Sequence, residues 1–204
     1  MAAKKSSGPV EIKSLSLKTV EIPIIGTTPL IVHKWSEKAK RQMLDKQMKN
    51  TKIKKEPKVP EEDYASSMHR FEDGRHGFPA GGFKAAIVGA ARLFDGLPMT
   101  HLKIAVRVEA DGPEGLVVIQ GIPRMREDTV RLETGTADIR FRAEYPTWSA
   151  ILRITFVENM ISLDQLVNLV NGAGMVGVGE WRPSAPKSAS GSYGCFRVVT
   201  AGDA

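Results

Sequence analysis

Hydrophobic residues recur at every second position through "LSLKTVEIPIIG": Leu15 and Leu17, then Val20, Ile22 and Ile24. That period is a strand's, and the phase change after Leu17 predicts a bulge. Pro23 predicts an edge or a bend. "TTPLIVHKW" extends the strand, and Ser36 is placed to cap a polar surface helix through "EKAKRQMLDKQMKN". From Thr51 to Gly77 no period is clean. Pro57, Pro60 and the run Glu61, Glu62, Asp63 predict a long flexible insertion. Pattern returns with a turn at Pro79, Gly81 and Gly82. Phe83, Ile87, Ala90, Ala91 and Phe94 then share one helical face, and Gly96 is expected to end that helix. "HLKIAVRVEADG" alternates and reads as a strand, with Leu102, Ile104, Val106 and Val108 on one side. "GLVVIQG" reads as a short buried strand and "DTVRLETG" as another. "ADIRFRAEYP" is expected to pair with "WSAILRITFVEN" across the turn at Pro146.

The clearest helix is "SLDQLVNLVNGAG". Ser162 and Gln165 have the spacing of a capping box, and Leu163, Leu166, Val167 and Val170 form its apolar stripe. Gly172 stands where a left-handed C-cap is expected, and "GCFRVVT" closes the chain as a last strand. The order is strand, insertion, helix, several antiparallel strands, helix, strand, with no internal repeat. It predicts an α+β fold: a ferredoxin-like or RRM-like antiparallel sheet with two packed helices. Residues 1–204 are expected to form a single domain. Residues 35–77 would be a basic, thumb-like insertion after the first strand, and 172–194 a glycine-rich loop.

Composition narrows the setting. Hydrophobic residues make up 42% of the 204, enough for a core, yet no apolar run approaches the ~20 residues of a membrane span. The start "MAAKKSSGPV" lacks the apolar stretch of a secretion signal. The lone Cys195 excludes an intrachain disulfide. A cytoplasmic, reducing setting without a membrane partner is expected. The net charge is +6 and the pI about 9.5. From Lys34 to Lys58 ten basic residues face only three acidic ones, so the charge is concentrated in the insertion. Such a block attracts phosphates by releasing their condensed counterions.

Gly172, Gly174 and Gly177 spell G-x-G-x-x-G, the dinucleotide fingerprint, in the wrong context. That fingerprint follows a strand and opens a helix, whose N-terminus receives the pyrophosphate. Here the glycines follow a capped helix, and Pro183 and Pro186 oppose a new one. The loop carries six glycines between 172 and 194, with Trp181, Arg182, Lys187 and Tyr193 among them. Open backbone amides can form anion-binding nests, and aromatic and cationic neighbours suit a sugar-phosphate polymer with exposed bases. There is no Walker motif, H-E-x-x-H or C-x-x-C, so no cofactor or metal is expected. His69, Glu72, Asp73 and His76 cluster in "HRFEDGRHG", at a spacing that matches no standard metal set. Arg107, Arg140, Arg142 and Arg153 are expected on the polar faces of their strands, suited to backbone contact more than base reading.

"FPAGGFKAAIVGAAR" resembles the P-G-S-S-x-K-G-x-x-R type segment of the RAMP proteins, the RRM-like family that includes backbone subunits of CRISPR effector complexes. The matching positions are Pro79, Gly81, Gly82 and Lys84, with Arg92 beyond. "GAGMVGVGEWRPSAPKSASGSYGCF" resembles that family's C-terminal glycine-rich loop. The resemblance implies single-stranded nucleic acid held along its backbone, assembly into an oligomer or filament, and an insertion that acts as a thumb. A phage or plasmid protein coating single-stranded DNA would have the same layout, and DNA and RNA stay equally open. On this reading His33, Lys34, Lys38, Lys40 and Arg41 supply the thumb's contacts. Lys84 and Arg92 lie near the strand path. Arg140 and Arg142 hold phosphates, and Trp181, Arg182, Lys187 and Tyr193 form the loop's grip. Two other readings stay open: a nuclease using His69 or His76, and a non-catalytic assembly protein whose basic arm meets an acidic partner.

Overall fold

The long alternating strand at the start and the capped helix near the end lie in one layer pair. The computed structural model describes residues 14–48, 57–131, 135–186 and 190–203. The elements in chain order are β1 (Leu17–Gly26), β2 (Leu30–Val32), α1 (Glu37–Gln47), α2 (Pro60–Ser67), β3 (His69–Arg70), β4 (His76–Pro79) and α3 (Ala80–Ala90). They continue with α4 (Met99–Ala105), β5 (Val106–Val108), β6 (Leu116–Val118), β7 (Arg124–Arg131), β8 (Ala137–Tyr145), β9 (Ser149–Val157), α5 (Leu163–Val176) and β10 (Phe196–Val198).

The main sheet has the order β10-β1-β9-β5, every neighbour antiparallel. With α3 between β1 and β5, and α5 between β9 and β10, this is the βαββαβ arrangement of the expected ferredoxin-like fold. Ile22 lies opposite Leu152 and Ile24 opposite Ala150, so the alternation of both strands meets in register. These residues form one core with Phe83 and Ile87 of α3 and with Leu166 and Val170 of α5. Each such fully buried side chain stabilises the fold by about 1.5–3 kcal/mol. The capping box is present: Ser162 Oγ accepts from Gln165 N–H at 3.2 Å, and Gln165 Oε1 accepts from Ser162 N–H at 2.9 Å. Ser36 likewise caps α1, accepting from Ala39 N–H at 3.1 Å.

Two satellite sheets stand beside the core, β2-β8-β7 and β3-β4-β6. They correct the expected pairing across Pro146. β9 is enclosed by β1 and β5, whereas β8 leaves that sheet to pair with β7 and β2. The Pro146 turn is therefore a corner between sheets, and Ser149 exchanges backbone hydrogen bonds with Gln120 instead.

Other segments differ from the pattern for definable reasons. Residues 60–77, expected to be part of the flexible insertion, form α2, β3 and the start of β4, and Pro79, expected in a turn, ends β4. The acidic run Glu61, Glu62, Asp63 is the first turn of a helix with Pro60 at its start, which is where a helix favours both. "HLKIA" is the end of helix α4, and only Val106–Val108 is strand. Leu102 and Ala105 are buried three apart while Ile104 is 75% exposed, so a helical stripe had mimicked alternation. Gly172 is not the C-cap. α5 runs on to Val176, and Gly177, at φ 73°, caps it by bonding Ala173 O. Gly172 is needed for packing, since a Cβ there would lie 3.1 Å from the Phe94 ring and 3.2 Å from Ala90. The N-terminal residues expected to be loose (1–12), the middle of the basic insertion (49–56) and Leu132–Thr134 of the "DTVRLETG" strand lie outside the described residues.

Candidate functional site

Two cavities adjoin where β2 ends. One, of about 400 Å³, is enclosed by the end of β2, the start of α3 and the segment after α5, with His33, His69, Phe78, Gly82, Val178 and Arg182 on its wall. The other, of about 530 Å³, opens between α1, α2 and β8, with Lys34, Trp35, Met43, Lys58, Asp138 and Arg140 on its wall. His33 and Glu180 line both, so the cavities lie side by side, and together they are called the groove below.

The loop is positioned by backbone contact. Glu180 N–H donates to Ile31 O at 2.9 Å, Gly194 N–H to Pro29 O at 2.8 Å and Val178 N–H to Gly194 O at 3.0 Å. A Cβ on Gly194 would fall 1.8 Å from Val178 O, and one on Gly179 would fall 2.4 Å from Ile31 O. These glycines let the loop lie directly on β2. Most of the loop's amides are thereby engaged within the fold. The expected row of open amides is reduced accordingly: among the described residues between Gly177 and Arg182, only Gly179, Trp181 and Arg182 have amides without a backbone acceptor.

The aromatic grip is also occupied. Trp181 and Tyr193 meet edge to face at 6.0 Å, and the Arg126 guanidinium lies 5.2 Å from one ring and 4.8 Å from the other. Arg126 further bonds Tyr193 Oη at 3.2 Å, Asp128 at 2.7 Å and Glu144 at 2.9 Å. Trp181 and Tyr193 therefore clamp the loop to β7 and do not line the groove. Arg142 is directly opposite Arg126 across the strand pair and only 1% exposed. Its guanidinium lies 3.6 Å from Asp128 and 3.7 Å from Glu180. The expectation that Arg142 would present itself to phosphates fails, because the loop covers that face of β8. Burial opposes ionisation of Glu144, but its bonds to Arg124 and Arg126 outweigh this and hold its carboxyl below the ordinary range.

Of the residues singled out in the sequence, His33, Lys34, Arg140 and Arg182 line the groove. Lys38, Lys40 and Arg41 are exposed on α1, whose Ser36, Ala39, Gln42 and Met43 form the groove's edge; Lys40 pairs with Glu37 at 2.6 Å. Lys84 and Arg92 lie outside both cavities, on and just beyond α3. Lys187 falls outside the described residues. Arg107 and Arg153 occupy the open face of the main sheet, away from Arg140. His76 stands edge-on to Tyr145 at 5.6 Å and outside the groove. Sequence reasoning missed Glu180, and it missed Arg126. The signal for Arg126 was Arg124, Arg126 and Asp128 at every second position, a charged strand face hidden by the flanking Pro123.

Electrostatics divide the groove. Burial, then the nearby Arg142, hold His33 below its ordinary value against the pull of Glu180. Burial, then Lys34 and His33, bring His69 down to about 4. Both imidazoles are neutral near pH 7. Among the described residues there is no cluster of three or more His, Cys, Asp or Glu able to hold a metal. No described helix is long and apolar enough to cross a membrane.

The sheet order and the two packed helices define an α+β protein of ferredoxin-like topology. No protein-family model matches the chain, and no curated protein does. Among solved structures it is similar to a chain of the type III-B Cmr-beta complex bound to cognate target RNA, at 10% identity and a TM-score of 0.47. That likeness covers 90% of this chain and 59% of the other, so this chain spans less than two thirds of that neighbour's length. It is also similar to Cmr6 from Pyrococcus furiosus, at 10% identity and a TM-score of 0.41, over 91% of this chain and 100% of that one.

Proposed function

We propose that the groove binds single-stranded nucleic acid along its backbone without reading its sequence, and that copies of the protein line up along the strand. The observation that carries this is the adjacency of the two cavities: His33 and Glu180 stand between the glycine-rich wall and a mouth where Lys58 and Arg140 pair with Asp138 and Lys34 adjoins the basic helix α1. Phosphates suit the rim of the mouth, where Lys34 and the α1 residues Lys38, Lys40 and Arg41 are exposed. Trp35, 52% exposed at its mouth, offers a face on which a base can stack, which a duplex could not use. The protein acts as a binder and leaves the strand intact. His76 is away from the groove, and His69 is a weak base at about 4.

Fluorescence anisotropy with labelled single-stranded DNA, single-stranded RNA and duplex tests the proposal. Single strands of both kinds are expected to bind, more weakly as salt rises, and to be recovered at full length. A preference for duplex, or no binding to any of the three, overturns it. Sedimentation on a long strand, with bound protein increasing in proportion to strand length, tests the alignment of copies.

A further inference from the structure

The half of the groove beside α3 is unlike the half beside α1. Its wall joins the apolar side chains of Phe78, Pro79, Val176 and Val178 to the imidazoles of His33 and His69. Its one cation, Arg182, already donates Nη1 to Gly179 O at 2.8 Å. Neither imidazole hydrogen-bonds a described residue; the ring contact of His69 is edge-on to Phe78 at 6.1 Å. A neutral imidazole offers one N–H donor and one bare nitrogen acceptor. Both rings are kept neutral here by burial. A phosphate would gain little in such a chamber, whose wall also carries the Glu180 carboxylate, whereas Lys34 and the exposed cations of α1 next to it would attract one. A planar heterocycle with donors and acceptors on its edge fits: the walls cover its faces and the imidazoles meet its edge. The chamber's 400 Å³ falls within the range of about 300–1,000 Å³ typical of small-molecule sites.

We infer that this chamber seats one unstacked nucleobase of the strand whose phosphates lie along Lys34 and the α1 rim. The inference rests on the function proposed above and adds a base-sized seat to it. Proteins that hold single strands commonly splay bases onto apolar walls and meet their edges with side chains. Each imidazole can present either tautomer, so the seat accepts any base, in keeping with binding that does not read sequence.

The test compares a short oligothymidylate with a fully abasic strand of the same length, on the full chain and on two variants. The wild type is expected to bind the abasic strand at least about tenfold more weakly, since that strand lacks both the seated base and the one stacked on Trp35. Ala85→Trp fills the chamber from an exposed position on α3. It should weaken oligothymidylate about tenfold, the effect of losing one base contact, and leave abasic binding unchanged. His69→Leu, which keeps the bulk and removes the edge partners, should act in the same selective way and guards against misfolding of the first variant. Equal weakening of both strands, or of neither, overturns the seat while leaving backbone binding in place. No binding of either strand by the wild type overturns the proposed function and the seat with it. Free thymidine monophosphate in excess should leave the strand bound. Displacement by it would assign the chamber to a mononucleotide and overturn the inference.

Discussion

The Glu180 carboxylate stands 3.7 Å from the guanidinium of Arg142, one group on the groove's wall and the other buried behind it. Through this pair the glycine-rich loop is tied to the face of β8, and the network continues to Asp128, Arg126 and Glu144. The loop's place is thus set by a network whose Arg142, Asp128 and Glu144 are buried. Removing one partner of a buried pair leaves the other uncompensated. Arg142→Ala is expected to lower stability by about 3 kcal/mol, read as a drop in the urea midpoint with an unchanged slope. A midpoint within error of wild type would show that the network does not hold the loop.

Gly194 is the tightest point of the loop that also has a positive φ, 67°. Gly194→Ala would place a methyl group against Val178 O. Overpacking of this kind costs about 3 kcal/mol, and here it falls on the loop. Limited proteolysis should cut the variant between Val178 and Gly194 well before the core. Unchanged cleavage would mean that the loop adapts freely.

Salt dependence distinguishes the cations in the groove from those outside it. Lys34→Ala with Arg140→Ala should reduce affinity and lower the slope of log affinity against log salt by about 0.7 for each phosphate that is no longer neutralised. Lys84→Ala with Arg92→Ala should leave both unchanged, because neither residue lines the groove. The reverse result would place the strand across α3.

Stability should depend on His69 in a defined pH window. Its folded value is pushed down to about 4, from an ordinary value of 6.5, by burial and by the facing Lys34 and His33. Above 6.5 the imidazole is neutral in both folded and unfolded chains and imposes no cost. Between 6.5 and about 4 the unfolded chain takes up a proton that the folded one refuses, so stability falls as pH falls. His69→Gln should flatten chemical denaturation midpoints across that window, and an equally steep decline in the variant would assign the slope to other groups.

Much of the fold was legible because the long elements are locally consistent. β1, β9 and α5 have a clear period and, in α5, a complete cap, and these carry the main sheet and one of its helices. What escaped was decided by long-range pairing. Nothing near Pro146 tells that β8 turns away from β9 to meet β2, because that choice depends on residues more than a hundred positions earlier. The site divided the same way. Lys34, just beyond β2, and Arg140, on the polar face of β8, were visible as charges from the local pattern. Arg142 carried the same local signal and proved buried, since only the folded loop reveals what covers it. Glycines in that loop suggested an anion nest, and their main use is close contact between backbones.

The central strand β1 lies between β9 and β10, and the loop that completes the groove rests on Pro29 and Ile31 near the start of the chain. During synthesis the segment around residue 30 must therefore wait until the region around residue 194 has left the ribosome. Joining partners so distant in sequence is slow compared with forming a helix. A nascent chain that has reached only α4 has Lys34 but neither Arg140 of β8 nor the opposite wall. On the function proposed above, capture of a polyanion would be deferred until translation has passed the last glycines.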